Sequence, residues 1–389
     1  MEEVREIITT TEQHHFKNLA FYCFPLRKGW LDQLFPLVSG DTCWGVFKGK
    51  ELACGAVIKN YMANIYSSLE CMAGISVVGT APQYRNRGYV SKLFSFILKR
   101  ERSKGKIFSS LRPFKFKFYE KYGYGYLGYT LNCTFLPKNI RTLPKPKGIF
   151  LPFSFEEKQL KHLYDINDNW IKKYNFGILS RRLDVNVFGD QLKWSRDYIM
   201  LYYSEGDCTG YIRYHLHPRE NEYFELEIIK TCWKNPEAFC AIFYFLWTHR
   251  DQCRKIVWKS PSNVPLHMML ENTPFSQTFF HEYMVRPLDV KRILDLKASI
   301  NPSRENITFA IEDPVLPDNT GNYSVEGTCV NKKPYNNEKA IPLHIFSSLL
   351  FGGNSFEQTI LAGQLTGDFS EAVLKFFCKD SNIFISELF

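Results

Sequence analysis

The feature that most constrains this chain is one junction between a strand and a helix. Leu69–Val78 is an apolar, β-prone run that predicts a strand. A mostly polar stretch, Gly79–Arg87, follows it. From Gly88 to about Lys104 the apolar residues Val90, Leu93, Phe94, Ile97 and Leu98 fall at helical spacing. The junction, Val77-Val78-Gly79-Thr80-Ala81-Pro82-Gln83-Tyr84-Arg85-Asn86-Arg87-Gly88-Tyr89-Val90, is basic and places a glycine where the helix opens. The first turn of a helix has N–H groups without internal partners, and the macrodipole adds partial positive charge there. A diphosphate can accept those hydrogen bonds. Gly88 has no Cβ and lets a ligand approach the backbone, while Arg85 and Arg87 add charge. Taken alone, the segment also fits an ordinary surface turn with solvated arginines.

The surrounding pattern predicts an α/β protein with mixed sheets. In the first region, Thr10 or Thr11 is expected to cap a helix through Cys23. Cys43–Phe47 and Leu52–Ile58 read as a hairpin around Lys48-Gly49-Lys50, and Lys106–Leu111 as a further strand. A short helix over Lys115–Tyr122 and a strand over Tyr129–Leu136 complete the set. Lys138–Lys147, with two prolines and several charges, reads as a linker. The next region repeats the order of hairpin (Tyr198–Tyr203 with Gly210–His215), long strand (Phe224–Thr231), helix (Pro236–His249) and strand (Lys255–Lys259). The loop before its helix, Thr231–Asn235, carries no glycine motif. A third region starts near Met284, with helices at Val290–Ala298, Ile341–Phe351, Ser355–Ala362 and Phe369–Phe377, and a short final strand at Asn382–Ser386. The expected domains are 1–142, 143–284 and 285–389.

Composition narrows the function classes. Of 389 residues, 45% are apolar, enough to build ordinary cores. The net charge of +9 suits an anionic partner, but basic residues are scattered among 40 acidic ones and form no basic arm, so nucleic acid is not the expected partner. The 11 cysteines include no CxxC pair and read as buried free thiols of a reducing, cytoplasmic setting. No signal peptide, membrane span or membrane partner is expected. His215-x-His217 has zinc-like spacing without an evident third ligand, so no metal site is expected.

The turn Arg85-Asn86-Arg87-Gly88-Tyr89-Val90 resembles the Arg/Gln-x-x-Gly-x-Gly/Ala pyrophosphate loop of the GNAT acetyltransferases, with Val90 in place of the usual small residue. Further on, Pro113-Phe114-Lys115-Phe116-Lys117-Phe118-Tyr119-Glu120-Lys121-Tyr122-Gly123-Tyr124 resembles the enhanced intracellular survival (Eis) branch of that family. Met284–Val290 is similar to that branch's entry into its last domain, and Asp313–Tyr323 to a loop within it. The resemblance implies tandem GNAT-like domains, the second lacking a cofactor loop, then a sterol-carrier-protein-like α/β domain. It implies acetyl-CoA as co-substrate, held by Val78, Gly79, Thr80, Asn86, Arg87, Gly88, Tyr89, Val90, Ser91, Tyr119 and Glu120, with Arg85 adding its charge. It implies Tyr124 as general acid and the carboxylate of Phe389 as general base. It also implies an amine acceptor of aminoglycoside, polyamine or lysine type, and a homohexamer. A lipid-binding or assembly protein with an inert GNAT domain is the alternative.

The chemistry is consistent with that implication. Val78–Thr80, at a strand end, can offer a backbone N–H to a thioester carbonyl. A tyrosine is protonated near neutral pH and can donate to a leaving thiolate; by residue type alone Tyr122 and Tyr126 rival Tyr124. A terminal carboxylate can orient the ammonium or take its proton through water, and burial that raises its pKa would improve it as a base. No cysteine sits in a motif that suggests an acetyl-enzyme, so direct transfer in a ternary complex is the expected mechanism.

Overall fold

The computed structural model describes residues 2–27, 29, 31, 40–179, 185–271, 275–336, 340–366, 370–379 and 382–385. They form two compact units, one running to Gly128 and resuming at Glu282, the other spanning Tyr129–His281 and taking in the tail around residues 382–385.

The first unit begins with β1 (Glu2–Glu6), α1 (Thr10–Cys23), β2 (Thr42–Lys48), β3 (Glu51–Ile65) and β4 (Ser68–Thr80). It continues with α2 (Tyr89–Ser103), β5 (Phe108–Leu111), α3 (Phe116–Glu120) and β6 (Gly125–Tyr126). The second contains β7 (Thr130–Phe135), β8 (Ile149–Pro152), α4 (Glu157–Ile171), α5 (Val185–Ser195), β9 (Tyr198–Ser204), β10 (Asp207–Pro218), β11 (Phe224–Trp233), α6 (Pro236–Trp247), β12 (Cys253–Ser260), α7 (Leu266–Met269) and β13 (Ser276–Phe280). Back in the first unit come β14 (Met284–Pro287), α8 (Val290–Ile300), β15 (Ser303–Ile311), β16 (Gly321–Gly327), β17 (Cys329–Lys333), α9 (Leu343–Leu350), α10 (Phe356–Leu361) and α11 (Glu371–Phe376).

Each unit holds a seven-stranded sheet, ordered β1-β2-β3-β4-β5-β14-β6 and β13-β7-β12-β11-β10-β9-β8. In each, one parallel pair is bridged by a helix: α2 joins β4 to β5, and α6 joins β11 to β12. Leu93, Phe94, Ile97 and Leu98 of α2 are buried against the first sheet, as their spacing predicts. A three-stranded sheet, β15-β16-β17, accompanies α8–α11.

Two strands depart from the sequence reading. The strand expected to complete the first sheet, near Tyr129–Leu136, is β7, and it pairs with β12 and β13 in the second. Its alternating Leu131, Cys133 and Phe135 are buried in the second core. The place beside β5 is taken by β14, which was not expected as a strand; Met284 pairs with Leu111 and Tyr126. The chain therefore changes unit at 128/129 and 281/282. The cap of α1 is also one residue earlier than expected. Thr9 accepts from Glu12 N at 3.3 Å and Glu12 accepts from Thr9 N at 3.3 Å, a reciprocal capping box.

No helix among the described residues is long and apolar enough to cross a membrane. All 11 cysteines are free thiols.

Candidate active site

The parallel pairing of β4 with β5 runs from Met72–Phe108 to Ile75–Leu111 and stops there, while β4 continues to Thr80. The two strands separate, and among the described residues one edge of Ser76–Thr80 has no strand partner. The same stretch carries a bulge: Gly55 pairs with Gly79 and Val57 with Ser76, so Val77 and Val78 together face Ala56. Val77 has φ +51°. A β-branched residue in that region is strained, at a cost on the order of 1–3 kcal/mol, and persists only where its surroundings enforce it. Here its side chain is locked into the core formed by Phe16, Ala20 and Val57. Periodicity gives no sign of this bulge.

Beyond Thr80 the chain passes through Pro82–Tyr84, then Arg85, Asn86 with φ +59° and Gly88 with φ +78°, into α2. No side chain caps this helix, and the first internal bond is Lys92 N to Gly88 O at 3.1 Å. The backbone N–H groups of Tyr89, Val90 and Ser91 precede it and are the donors a diphosphate would use. A Cβ placed on Gly88 meets nothing within 4 Å, so open space lies before the helix. Arg85 and Arg87 are exposed and pair with no carboxylate among the described residues. Arg85 Nε lies 3.5 Å from Thr80 O, and the two guanidinium groups lie 5.5 Å from the Tyr22 ring and 5.9 Å from the Tyr84 ring. Val90, the departure from the family's small residue, is half-buried and packs on the first core. Ser91 Oγ is 2.9 Å from Tyr122 OH.

Tyr124 lies beneath α2, fully buried, with Phe94 edge-on at 6.3 Å. Its hydroxyl is 2.7 Å from Ser109 Oγ, which donates to Ala73 O at 2.9 Å. Since Ala73 and Ser109 pair two residues before β4 and β5 part, the phenol sits at the base of the opening. Burial raises its pKa above the usual tyrosine range, with Ser109 and then Arg286 opposing. Tyr119 is also buried, and burial raises its pKa too, but no partner for its hydroxyl is found among the described residues. Tyr126, half-buried, packs against Phe116 with ring centroids 4.8 Å apart and the planes tilted by 42°. Glu120 is half-buried at the end of α3. Phe389 lies outside the described residues.

Family models match three consecutive stretches. Residues 3–127 and 181–287 each match an acetyltransferase (GNAT) domain, and together they make up more than half of the chain; residues 290–382 match a sterol carrier protein domain. The chain is a GNAT-family acetyltransferase. Its whole-length fold is that of Eis-like proteins. Eis1 from Mycobacterium abscessus superposes with a TM-score of 0.82 at 17% identity, covering 100% of both chains. A GCN5-related N-acetyltransferase from Anabaena variabilis gives 0.81 at 18%, covering 99% of each. A conserved protein of Enterococcus faecalis gives 0.80 at 19%, covering 97% of each. No curated protein matches the sequence.

The two GNAT domains differ at the point that matters for a CoA-type ligand. In the first, Ala81 N bonds Ala53 O at 2.9 Å, and seven residues intervene before α2 begins at Tyr89. In the second, the equivalent bond is Lys234 N to Thr209 O at 2.8 Å, and α6 begins two residues later at Pro236. Its start is consumed internally. Asn235 caps Ala238 N at 2.8 Å, Pro236 has no N–H, and the Glu237 carboxylate accepts from Tyr202 OH at 2.8 Å and Ser204 Oγ at 2.9 Å. An anion is thus already built into the second helix start. His215 and His217 each face a carboxylate, Asp197 at 3.2 Å and Glu227 at 2.8 Å. Among the described residues no group of three or more His, Cys, Asp or Glu side chains is placed to hold a metal.

Gly88→Ala tests the acetyltransferase's open turn. The left-handed backbone at φ +78° strains any L side chain by roughly 1–2 kcal/mol. The new methyl would also project into the space before the helix. A lowered Tm together with a raised KM for acetyl-CoA is expected; a lowered Tm with unchanged KM would place the cofactor elsewhere.

Proposed function

We propose that this acetyltransferase moves the acetyl group of acetyl-CoA directly to the amine of a small molecule or peptide, with both substrates bound at once. The observation that carries the reading is the conjunction in the first domain of a helix start without a side-chain cap, two arginines without carboxylate partners among the described residues, and a nearby strand edge that no described strand pairs. The N–H groups of Tyr89–Ser91 with Arg85, Asn86 and Arg87 hold the diphosphate. The free edge of Val78–Thr80 runs beside the pantetheine arm and supplies an N–H to the thioester carbonyl. Tyr119 and Glu120 line the far side. The amine attacks that carbonyl and loses its proton to the terminal carboxylate of Phe389, directly or through water; the tetrahedral oxyanion then collapses, and Tyr124 gives its proton to the departing thiolate. A phenol whose pKa is raised stays protonated across the neutral range, which suits a donor. Polyamine, aminoglycoside and lysine-type amines are the acceptor classes in this reading.

Turnover of acetyl-CoA against a panel of those amines tests it, with CoA thiol release as the signal. Arg85→Gln and Arg87→Gln are each expected to raise KM for acetyl-CoA roughly 3- to 30-fold, about 0.7–2 kcal/mol, with the larger effect at low salt. Equal KM values would remove the arginines from the site. Direct transfer has its own test because Cys23 Sγ lies 3.9 Å from Thr80 O, beside the proposed thioester. An acetyl group trapped on Cys23 in a single turnover without amine would replace the ternary complex by a two-step route.

One observation favours a second donor. The Tyr119 hydroxyl has no partner among the described residues, whereas that of Tyr124 is engaged with Ser109. Tyr119→Phe and Tyr124→Phe, compared at saturating acetyl-CoA, separate the two.

A further inference from the structure

Tyr124 belongs to a turn, Tyr119–Gly125, that closes on itself. Tyr122 N and Tyr124 N donate to Tyr119 O at 2.9 and 3.3 Å, and Gly123 N donates to Glu120 O at 2.8 Å. Two carbonyls of this turn are bonded by side chains from the C-terminal third of the chain. Arg286 Nη1 donates to Tyr122 O at 2.6 Å, and Ser347 Oγ donates to Gly123 O at 2.7 Å.

Both side chains are fully buried. Arg286 is oriented by Asp313, which accepts from its Nη2 and also from Asn319 Nδ2, Val315 N and Leu316 N at 2.9, 3.0 and 2.9 Å. Ser347 lies on α9, which packs directly on the turn. A Cβ on Gly123, at φ +83°, would strike Leu343, and one on Gly125 would strike the His344 carbonyl. The glycines on either side of Tyr124 are thus the places where the sterol-carrier helix comes closest.

We propose that β14 and the sterol-carrier domain together form the clamp that sets the acid tyrosine, with Arg286, Asp313 and Ser347 as positioning residues for acetyl transfer. This rests on Tyr124 being the proton donor. A donor must lie within hydrogen-bond reach of the thiolate as it forms, and a displacement of about 1 Å costs on the order of 100-fold in rate. The clamp holds the two peptide groups that lead into the Tyr124 Cα, while Ser109 holds the hydroxyl.

Ser347 offers a clean test. Its single proton has two acceptors in reach, Gly123 O at 2.7 Å and its own helix carbonyl, Leu343 O, at 2.8 Å. Such back-bonding to the i−4 carbonyl is routine within helices. Removing the hydroxyl therefore releases Gly123 and leaves α9 with its own backbone ladder. Ser347→Ala is expected to lower kcat about ten-fold, with KM for acetyl-CoA within two-fold and the urea midpoint little changed. Ser347→Thr, which keeps the hydroxyl, should regain at least half of the loss. In the Tyr124→Phe background, Ser347→Ala should have no further effect, because the group it positions is gone. Rates are read with acetyl-CoA and the amine of the panel that turns over fastest. Wild-type kcat in Ser347→Ala, or a loss that adds in full to that of Tyr124→Phe, overturns the clamp. Wild-type kcat in Tyr124→Phe overturns the donor assignment instead.

Discussion

Tyr124→Phe is expected to reduce kcat by about 100-fold or more while KM for acetyl-CoA stays near its wild-type value. General-acid assistance contributes roughly 10²- to 10⁴-fold, and the phenol is proposed to act only on the leaving thiolate, not on the bound cofactor. The change removes one oxygen from a fully buried ring and leaves Ser109 its bond to Ala73 O at 2.9 Å. The fold should therefore survive, and circular dichroism and the urea midpoint serve as controls. pH adds a second measurement. Burial raises the Tyr124 pKa, so its proton is retained as pH rises through the ordinary tyrosine range. If Tyr124 donates, wild-type kcat should show no alkaline decline due to this group below about pH 10. Because the neutral form is the one favoured in the folded protein, its contribution to stability is complete below that pH and is lost only as pH climbs through the raised pKa. A variant with full kcat, together with an inactive Tyr119→Phe, would move the donor to Tyr119.

Arg286→Ala should destabilise the protein by about 3–5 kcal/mol, the range for breaking one side of a buried ion pair. The guanidinium and the Asp313 carboxylate are both fully buried, so loss of the arginine strands an anion in the interior and leaves Tyr122 O without its donor. Urea unfolding followed by tryptophan fluorescence measures this directly. Substituting both partners, Arg286→Met with Asp313→Leu, often rescues such pairs elsewhere, but only partial recovery is expected here. Asp313 also accepts from Val315 N, Leu316 N and Asn319 Nδ2, and a leucine would leave those donors buried and unpaired. Full recovery by the double variant would show that the loop does not need its carboxylate.

The same contacts explain two stretches that the sequence singled out without a reason. Met284–Val290 contains Arg286, and Asp313–Tyr323 contains Asp313, Asn319 and Tyr323. They meet through the ion pair and through Asn319 Oδ1 accepting from Val290 N at 3.1 Å, while Tyr323 OH braces the second stretch by donating to Asn319 O at 2.7 Å. Residues 27 apart in the chain, and 164 apart from Tyr122, form one network. Their partnership has no periodicity to reveal it, so only the residue types were visible beforehand.

The capping of α1 shows the opposite case. Thr9-x-x-Glu12 is a local capping-box pattern, readable from four residues, yet the expected cap is Thr10 or Thr11. The strand–turn–helix around Gly88 forms where its pattern predicts because everything it needs is local. A left-handed residue before a helix, apolar spacing within it and charges in the turn all lie within about twenty residues. For the same reason the absence of that motif from the second domain was visible, whereas the Glu237 carboxylate that occupies its helix start was not.

By itself the sequence determined the α/β class, the strand–turn–helix of the first domain and the residues that could meet an anion. These follow from backbone preferences and burial patterns that act over one or two turns of chain. Only the tertiary structure decided that β7 and β14 lie in different sheets from those their order suggests, that Val77 is forced into a bulge, and which contacts surround Tyr124. Each of those outcomes depends on hydrogen-bond partners and cores supplied by distant segments. A strand's own residues specify that it must pair and bury one face, but not which edge will satisfy it.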